Sequence, residues 1–318
     1  ACDDHFMRVN LVVRGDEYLP SIAEHLQIFN ALGFEPIQYA HIAPMQKMDG
    51  DSKRKISKRK DPEANVTFYI EEGYPVDSVR EYLLTVANSN FEEWRKNNPT
   101  ANNEDFVVTT DKMSISGALF DLPKLNDVSK NVISKFTADK VFELCYEWAS
   151  EYDKPFAEIL KNNKEFATKV FSIERGTPKP RKDIAKWNEV KTTYGYFFKE
   201  LFAPKSAENY CFDLAKFDKQ TLKAIIDKYE EVYVEQSDKQ VWFDTIKHLG
   251  DDLGFANDMK LYKADPSKFK GNYGDIASII RIALTTKNNT PDLFEICSLL
   301  GKEQVVERLN LASKLLQK

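Results

Sequence analysis

Between positions 53 and 60 the chain reads Lys53-Arg54-Lys55-Ile56-Ser57-Lys58-Arg59-Lys60, six cations in eight residues. Burying even one unpaired ammonium is costly, so a run this dense must face water or an anion. Ammoniums are compact point charges, and a hydroxyl among them adds a donor, a combination suited to polyphosphate. A solvated basic loop or a nuclear address is the competing reading. A second candidate is Val13-Arg14-Gly15-Asp16-Glu17-Tyr18. An arginine at the carboxyl end of a strand can clamp a carboxylate through two parallel N–H bonds, glycine admits a ligand close to the backbone, and the Tyr18 ring can stack on a base. The competing reading there is a turn held by an Arg14–Asp16 or Arg14–Glu17 pair.

The elements that must position these groups follow from patterning. Val9 to Val13 reads as a buried strand of a parallel sheet. Ser21 with Glu24 has the form of a capping box, Ile22, Leu26, Phe29 and Leu32 share one helical face, and Gly33 is the stop. Pro36 to Met45 is a second extended segment, so residues 1–46 read as strand–helix–strand, half of a nucleotide-binding sheet. In a doubly wound sheet the chain then returns to the same crevice. The basic run, read as a mobile loop, would thus face the Arg14 turn across one ligand. Downstream, Pro62 to Gly73 and the segment from Asp77 through Val86 read as helices. Asn88 to Asn103 reads as irregular, and Phe106 to Val108 as a short strand. Beyond residue 137 the periodicity is helical, in segments led by Thr137, Lys154, Asp183, Asp218, Asp238, Gly274 and Pro291. Pro204 to Cys211 interrupts it.

A length of 318 residues suggests two or three domains, and 42% apolar and 12% aromatic residues can bury a substantial core. The net charge of −5 excludes a generally basic nucleic-acid binder, so any contact with an anionic polymer must come from local patches. The four cysteines, Cys2, Cys145, Cys211 and Cys297, form no CxxC pair, which fits a reducing compartment. No signal peptide and no apolar run of membrane-spanning length is visible. Asp251, Asp252 and Asp258 do not have the spacing of a calcium loop, and no bound metal is expected. Trp94, Trp148, Trp187 and Trp242 read as core residues. Lys179-Pro180-Arg181-Lys182 reads equally as a solvated loop or an RNA-backbone contact.

Asp3-Asp4-His5-Phe6-Met7, Val13 to Leu19 and Lys55-Ile56-Ser57-Lys58-Arg59 occur in the order of the later signature blocks of bacterial-type glutamyl-tRNA synthetases, class I, and Lys-Ile-Ser-Lys resembles that class's KMSKS signature. Ser116 to Asp121 with Lys124-Leu125 resembles the family's stem-contact region. Arg281 to Thr285, Thr290 to Phe294 and Leu300 to Glu303 resemble its final anticodon-binding helices. The resemblance implies a mainly α fold with a small α/β part. Its expected divisions are residues 1–50, the second half of a Rossmann-type catalytic domain; 51–136, the KMSKS-like loop and an α+β stem-contact domain; and 137–203 and 204–318, two all-α anticodon-binding subdomains.

The resemblance also implies roles. Arg14 would hold the glutamate α-carboxylate. Glu17, Tyr18 and Ile42 would line the ATP pocket. Lys55 and Lys58 would stabilise the triphosphate, with Ser57 anchoring the loop. Arg281, Thr290, Pro291 and Leu293, and less directly Arg175, would contact anticodon bases; capping and core packing are the other reading for Pro291 and Leu293. ATP with magnesium, glutamate and tRNA-Glu are the implied partners, with tRNA-Gln left open, in a cytoplasmic monomer without membrane contact. The family's HIGH signature is absent: His5, His25, His41 and His248 stand in no such context. The expectation is therefore a C-terminal portion that does not aminoacylate alone. A stand-alone RNA-binding module and a purely structural helical scaffold are the rivals.

Overall fold

The computed structural model describes residues 1–317. The chain divides into two compact units, residues 1–133 and residue 134 onward, and is mainly α with a small α/β part.

The first unit opens with α1 (Cys2–Phe6), β1 (Leu11–Gly15), a 3-10 turn over Asp16–Ser21, α2 (Ile22–Ala31) and β2 (Gln38–Ile42). β1 and β2 are parallel, with Leu11 opposite Gln38 and Gly15 opposite Ile42. The expected strand–helix–strand order is present, with β1 two residues later than the Val9 start. The capping box is not. Ser21 is already helical (φ −84°, ψ 0°) and makes no side-chain cap bond, because the 3-10 turn runs straight into α2 and the Ile22 N–H bonds Leu19 O instead.

The basic run is not a loop throughout. β3 (Gln46–Asp49) and β4 (Ser52–Lys55) form an antiparallel hairpin with Gln46 opposite Lys55 and Asp49 opposite Ser52. Its first three cations therefore lie on a strand and alternate between faces. Four helices complete the unit: α3 (Val66–Glu72), α4 (Val76–Ala87), α5 (Phe91–Asn97) and α6 (Leu122–Ser134). α5 overturns the expectation of an irregular 88–103 segment: Phe91 is fully buried, and Arg95 draws in the following chain through Ala101 O (2.6 Å) and Asn103 Oδ1 (2.6 Å). Phe106 to Val108 is not a strand. Phe106 is an anchor packed edge-on against Phe91 (4.9 Å between ring centres) and beside Trp94 (5.2 Å), whereas Val107 and Val108 face solvent and pair with no strand among the described residues.

The second unit contains α7 (Ala138–Tyr152), α8 (Lys154–Asn162), α9 (Lys164–Ser172), α10 (Val190–Tyr194), α11 (Lys219–Val232), α12 (Lys239–Leu253), α13 (Met259–Ala264), α14 (Tyr273–Thr285) and α15 (Leu293–Leu316). Several starts are fixed by side-chain caps. Thr137, Asp153, Asp218, Asp238, Asp258, Asn272 and Asp292 each accept a backbone N–H of the first turn. Asp183 is the exception among the expected leads. No α-helix begins until Val190, and the Asp183 carboxylate is engaged by Arg181 and Tyr194. α15 is broken at Gly301 (φ 71°, ψ 165°), a conformation that a side chain would resist. Below that break Arg308, 3% exposed, donates from one Nη1 to Tyr196 O (2.7 Å) and Leu284 O (2.9 Å), joining the segment after α10 to the end of α14.

Candidate functional site

Arg14 stands near the carboxyl end of β1, directly across from His41 on β2. Its Nε donates to His41 Nε2 (3.1 Å), its Nη1 lies 2.9 Å from His25 Nδ1, and its guanidinium sits over the rings of Tyr39 (4.6 Å) and Tyr18 (5.2 Å). The expected alternative pair with Asp16 or Glu17 does not form among the described residues. The arginine is instead oriented by two imidazoles and two phenol rings, a cage that restricts its rotamers while leaving it without a counter-charge. Sequence reading placed no role on His25, His41 or Tyr39. The usable signal was spacing, since His41 is the parallel partner of Arg14 once the register of β1 and β2 is known.

Gly15 lets the next turn fold back. A Cβ at this position would come within 2.0 Å of the Glu17 carboxylate. Glu17, so placed, accepts a bond from Lys55 Nζ at 3.1 Å. A backbone N–H within its own turn, and then the Lys55 ammonium, hold Glu17 below the usual carboxylate range. The structure thus brings the Arg14 turn and the basic run together through Glu17 and Lys55.

Within the basic run the cations divide into two groups. Arg54 points inward and binds Asp61 with a two-pronged contact (2.6 and 2.7 Å), with Asp49 as a further acceptor (2.7 Å). Asp61 is 2% exposed and also accepts the Ser57 backbone N–H (2.8 Å), while Lys47 bridges Asp61 and Glu63. The Arg54 guanidinium and then the Ser57 N–H hold the Asp61 carboxyl well below the usual carboxylate range. Ser57 is half-buried at the head of the turn, where its carbonyl accepts the Asp61 N–H (2.8 Å). Lys58 is exposed, and its ammonium has no partner among the described residues. Lys53, Arg59 and Lys60 are exposed as well. Asp61 escaped sequence reading although it is the first acid after six cations.

Ile42 ends β2 and lines a cavity of about 240 Å³ with Ala43, Met45, Leu83, Met113 and Gly117, an apolar slot next to the strand's carboxyl end.

The remaining candidates lie in the second unit. Arg281 of α14 donates from Nη1 to Thr290 Oγ1 (2.6 Å) and Pro291 O (2.7 Å). Thr290 is 6% and Leu293 3% exposed, so Leu293 is a core residue here and Arg281 grips the turn that leads into α15. Arg175 donates to Phe171 O (2.8 Å) and Phe136 O (3.0 Å), and it lines a cavity of about 440 Å³ with Phe136, Thr137, Ser172, Thr177 and Pro180. Burial lowers the pKa of both arginines, so each holds a partly dehydrated charge. Between them, Arg181 binds Asp183 through two bonds (2.6 and 2.9 Å) and reaches Asn289 Oδ1 (3.3 Å). Arg181 thereby joins Asp183 to the residue that precedes Thr290.

Among the described residues no cluster of three or more His, Cys, Asp and Glu side chains is arranged to hold a metal ion, and no helix is long and apolar enough to cross a membrane.

Residues 1–127 match the family model for tRNA synthetases class I (E and Q), catalytic domain, and residues 154–313 match the model for the anticodon binding domain. The chain is 49% identical over 310 residues to the glutamate–tRNA ligase of Clostridium perfringens strain 13, covering 97% of this chain and 56% of that protein. It is 43% identical over 309 residues to that of Acetivibrio thermocellus, covering 96% of this chain and 55% of that protein. Its fold matches the crystal structure of a glutamate tRNA ligase from Elizabethkingia meningosepticum with a TM-score of 0.64 at 19% identity, covering 99% of this chain and 59% of that one. The chain therefore spans a little over half the length of these relatives.

Proposed function

Since the chain belongs to the glutamate–tRNA ligase family of class I tRNA synthetases, we propose that its first unit supplies one side of a glutamate-activating site and its second unit reads the anticodon of tRNA-Glu. The observation that carries this reading is the Lys55–Glu17 bond (3.1 Å), which ties the phosphate-type cations to the carboxylate-type arginine turn. Arg14, caged and without a counter-charge, suits the α-carboxylate of glutamate. Tyr18 and Ile42 line the adenine side. Lys55 and Lys58 face the triphosphate, and Ser57, locked by Asp61, anchors their turn.

In the proposed reaction a glutamate carboxylate oxygen attacks the α-phosphorus of ATP. The new P–O bond forms as the bond to the β-phosphate bridge breaks, and pyrophosphate leaves. Charge builds on the phosphate oxygens during attack, and preorganised ammoniums stabilise it without covalent work by the protein. The terminal 2′-hydroxyl of tRNA then displaces AMP from the glutamyl group. Magnesium enters as the counter-ion of ATP, and no ligand for it is assigned to this chain.

In the second unit, Arg281, Thr290, Pro291, Leu293 and Arg175 form the anticodon-reading region. Splayed bases are read by stacking and by polar contacts to their edges. With Leu293 buried, its contribution is to shape the turn that Arg281 presents. We further propose that the protein acts as a cytoplasmic monomer, and that these 318 residues alone bind tRNA without charging it, since they contain no HIGH signature.

The test is direct. The 318-residue chain is titrated with tRNA-Glu and tRNA-Gln transcripts and assayed for ATP–pyrophosphate exchange with glutamate and tRNA present. Saturable binding that weakens steeply with salt, without exchange, is expected. Exchange by the pure chain would refute the proposed inactivity, and absence of tRNA binding would refute the anticodon role.

A further inference from the structure

The chain from Glu174 to Asp183 contains no regular element, yet it is held at both ends. Glu174 takes a left-handed backbone conformation (φ 54°) unusual for a side chain of its size, and Gly176 follows at φ 73°, so the chain reverses sharply after Arg175. Past the reversal Arg181 returns toward its start, with Nε 3.5 Å from Glu174 Oε2. Asp183 grips the fork of Arg181 from the other side and also accepts the Tyr194 hydroxyl (3.3 Å). Arg181 Nη2 then crosses to Asn289 Oδ1, one residue before Thr290, whose hydroxyl accepts from Arg281.

The result is a series of neighbours: Arg175 follows Glu174, whose carboxylate lies in ion-pair range of Arg181, and Arg181 bonds Asn289, which precedes Thr290, the acceptor of Arg281. Residue 181 and residue 289 are joined by a planar, two-sided group. Such a guanidinium fixes the distance and angle between its partners in a way that a flexible ammonium does not.

We propose that Arg181, clamped by Asp183, is a positioning residue for anticodon reading: by contacting both Glu174 and Asn289 it holds the Arg175 loop and the Thr290 turn in a fixed relation to each other, against one single-stranded RNA loop. The inference deepens the anticodon role proposed above and rests on it. Arg181 does not read a base; it sets the frame in which the two flanking arginines do.

The experiment measures binding of the full 318-residue chain to a tRNA transcript with a glutamate anticodon, and to three transcripts each with one anticodon base replaced. The observable is the ratio of cognate to substituted affinity. Arg181→Lys keeps the charge and loses the fork. Asn289→Ala removes the far partner at an exposed position. Asp183→Asn keeps the shape and loses the clamp. Each is expected to lower the ratio about threefold to tenfold, while thermal melting of Asn289→Ala stays unchanged. If the wild-type chain discriminates but Arg181→Lys and Asn289→Ala discriminate equally well, Arg181 is at most a phosphate contact and the inference is overturned. An equal loss of affinity for all four transcripts overturns it too. If the wild-type chain shows no anticodon preference, the underlying reading fails and the inference falls with it.

Discussion

The Asp61 carboxylate accepts the Ser57 backbone N–H at 2.8 Å while the Ser57 carbonyl accepts the Asp61 N–H at 2.8 Å, so these two residues close the basic turn on itself. Arg54 and Lys47 secure the same carboxylate from the hairpin side. Lys58 is therefore displayed on a braced turn. Asp61→Asn keeps the side-chain shape but weakens every charge-assisted bond to it. Trypsin should then cleave after Lys58, Arg59 and Lys60 several-fold faster, and calorimetry should show weaker binding of tripolyphosphate. Unchanged cleavage would show that the brace does not order the turn.

The same carboxylate sets a pH dependence. Its folded-state pKa lies well below the usual range, so its stabilising contribution is complete above the ordinary aspartate value of about 4 and is lost as pH falls through the folded value. Trypsin sensitivity of the turn cannot be read at such pH, so pepsin is the appropriate probe. As pH falls below about 4 the wild-type hairpin should open progressively, and the Asp61→Asn hairpin should show a smaller acid step, since the Glu63–Lys47 and Asp49–Arg54 pairs remain.

Glu17 and Lys55 form an exposed pair that a phosphate ligand must displace. Glu17→Gln removes the competing charge and should raise tripolyphosphate affinity by up to about fivefold at low salt, the range of a surface ion pair. Lys55→Ala should lower it. The Glu17→Gln gain should shrink as salt rises. A loss of affinity in Glu17→Gln would mean that Glu17 orients Lys55 rather than restrains it.

Thr286 caps α14 in the left-handed region (φ 64°), with its N–H on Ile282 O (2.7 Å). Glycine adopts this conformation without strain, so Thr286→Gly should stabilise the second unit by about 0.5–1 kcal/mol. Urea unfolding followed by tryptophan fluorescence reads the shift in midpoint.

Arg308 is the opposite case. Arg308→Ala leaves the Tyr196 and Leu284 carbonyls unsatisfied and removes the guanidinium stacked 4.0 Å from the Phe202 ring. A loss of about 2–4 kcal/mol is expected in the same urea experiment.

Much of the helical unit was legible because caps and apolar spacing are local. Asp218, Asp238 and Asn272 announce their helices within one turn of chain. The strand–helix–strand order of the first unit was legible from its apolar runs, but β1 is not the buried strand expected, since Leu11 and Val13 are exposed. Failures came where local patterns competed with distant partners. Asp183 resembles a helix cap by position but binds Arg181 and Tyr194. Ser21 and Glu24 spell a capping box that the preceding 3-10 turn makes unnecessary.

By itself, then, the order of residues determined which groups are chemically able: six clustered cations, a lone strand-end arginine, and the short blocks that mark the family. It did so because residue type and short-range spacing are properties of the chain alone. Only the tertiary structure decided which cations are free and which are spent, since that depends on counter-charges brought from elsewhere. Arg54 is neutralised by Asp49 and Asp61, Lys55 sits in an exposed pair with Glu17 that an anion can displace, and Lys58 has no partner among the described residues. The same holds for Arg14, whose cage of His25, Tyr39 and His41 exists only once β2 lies beside β1.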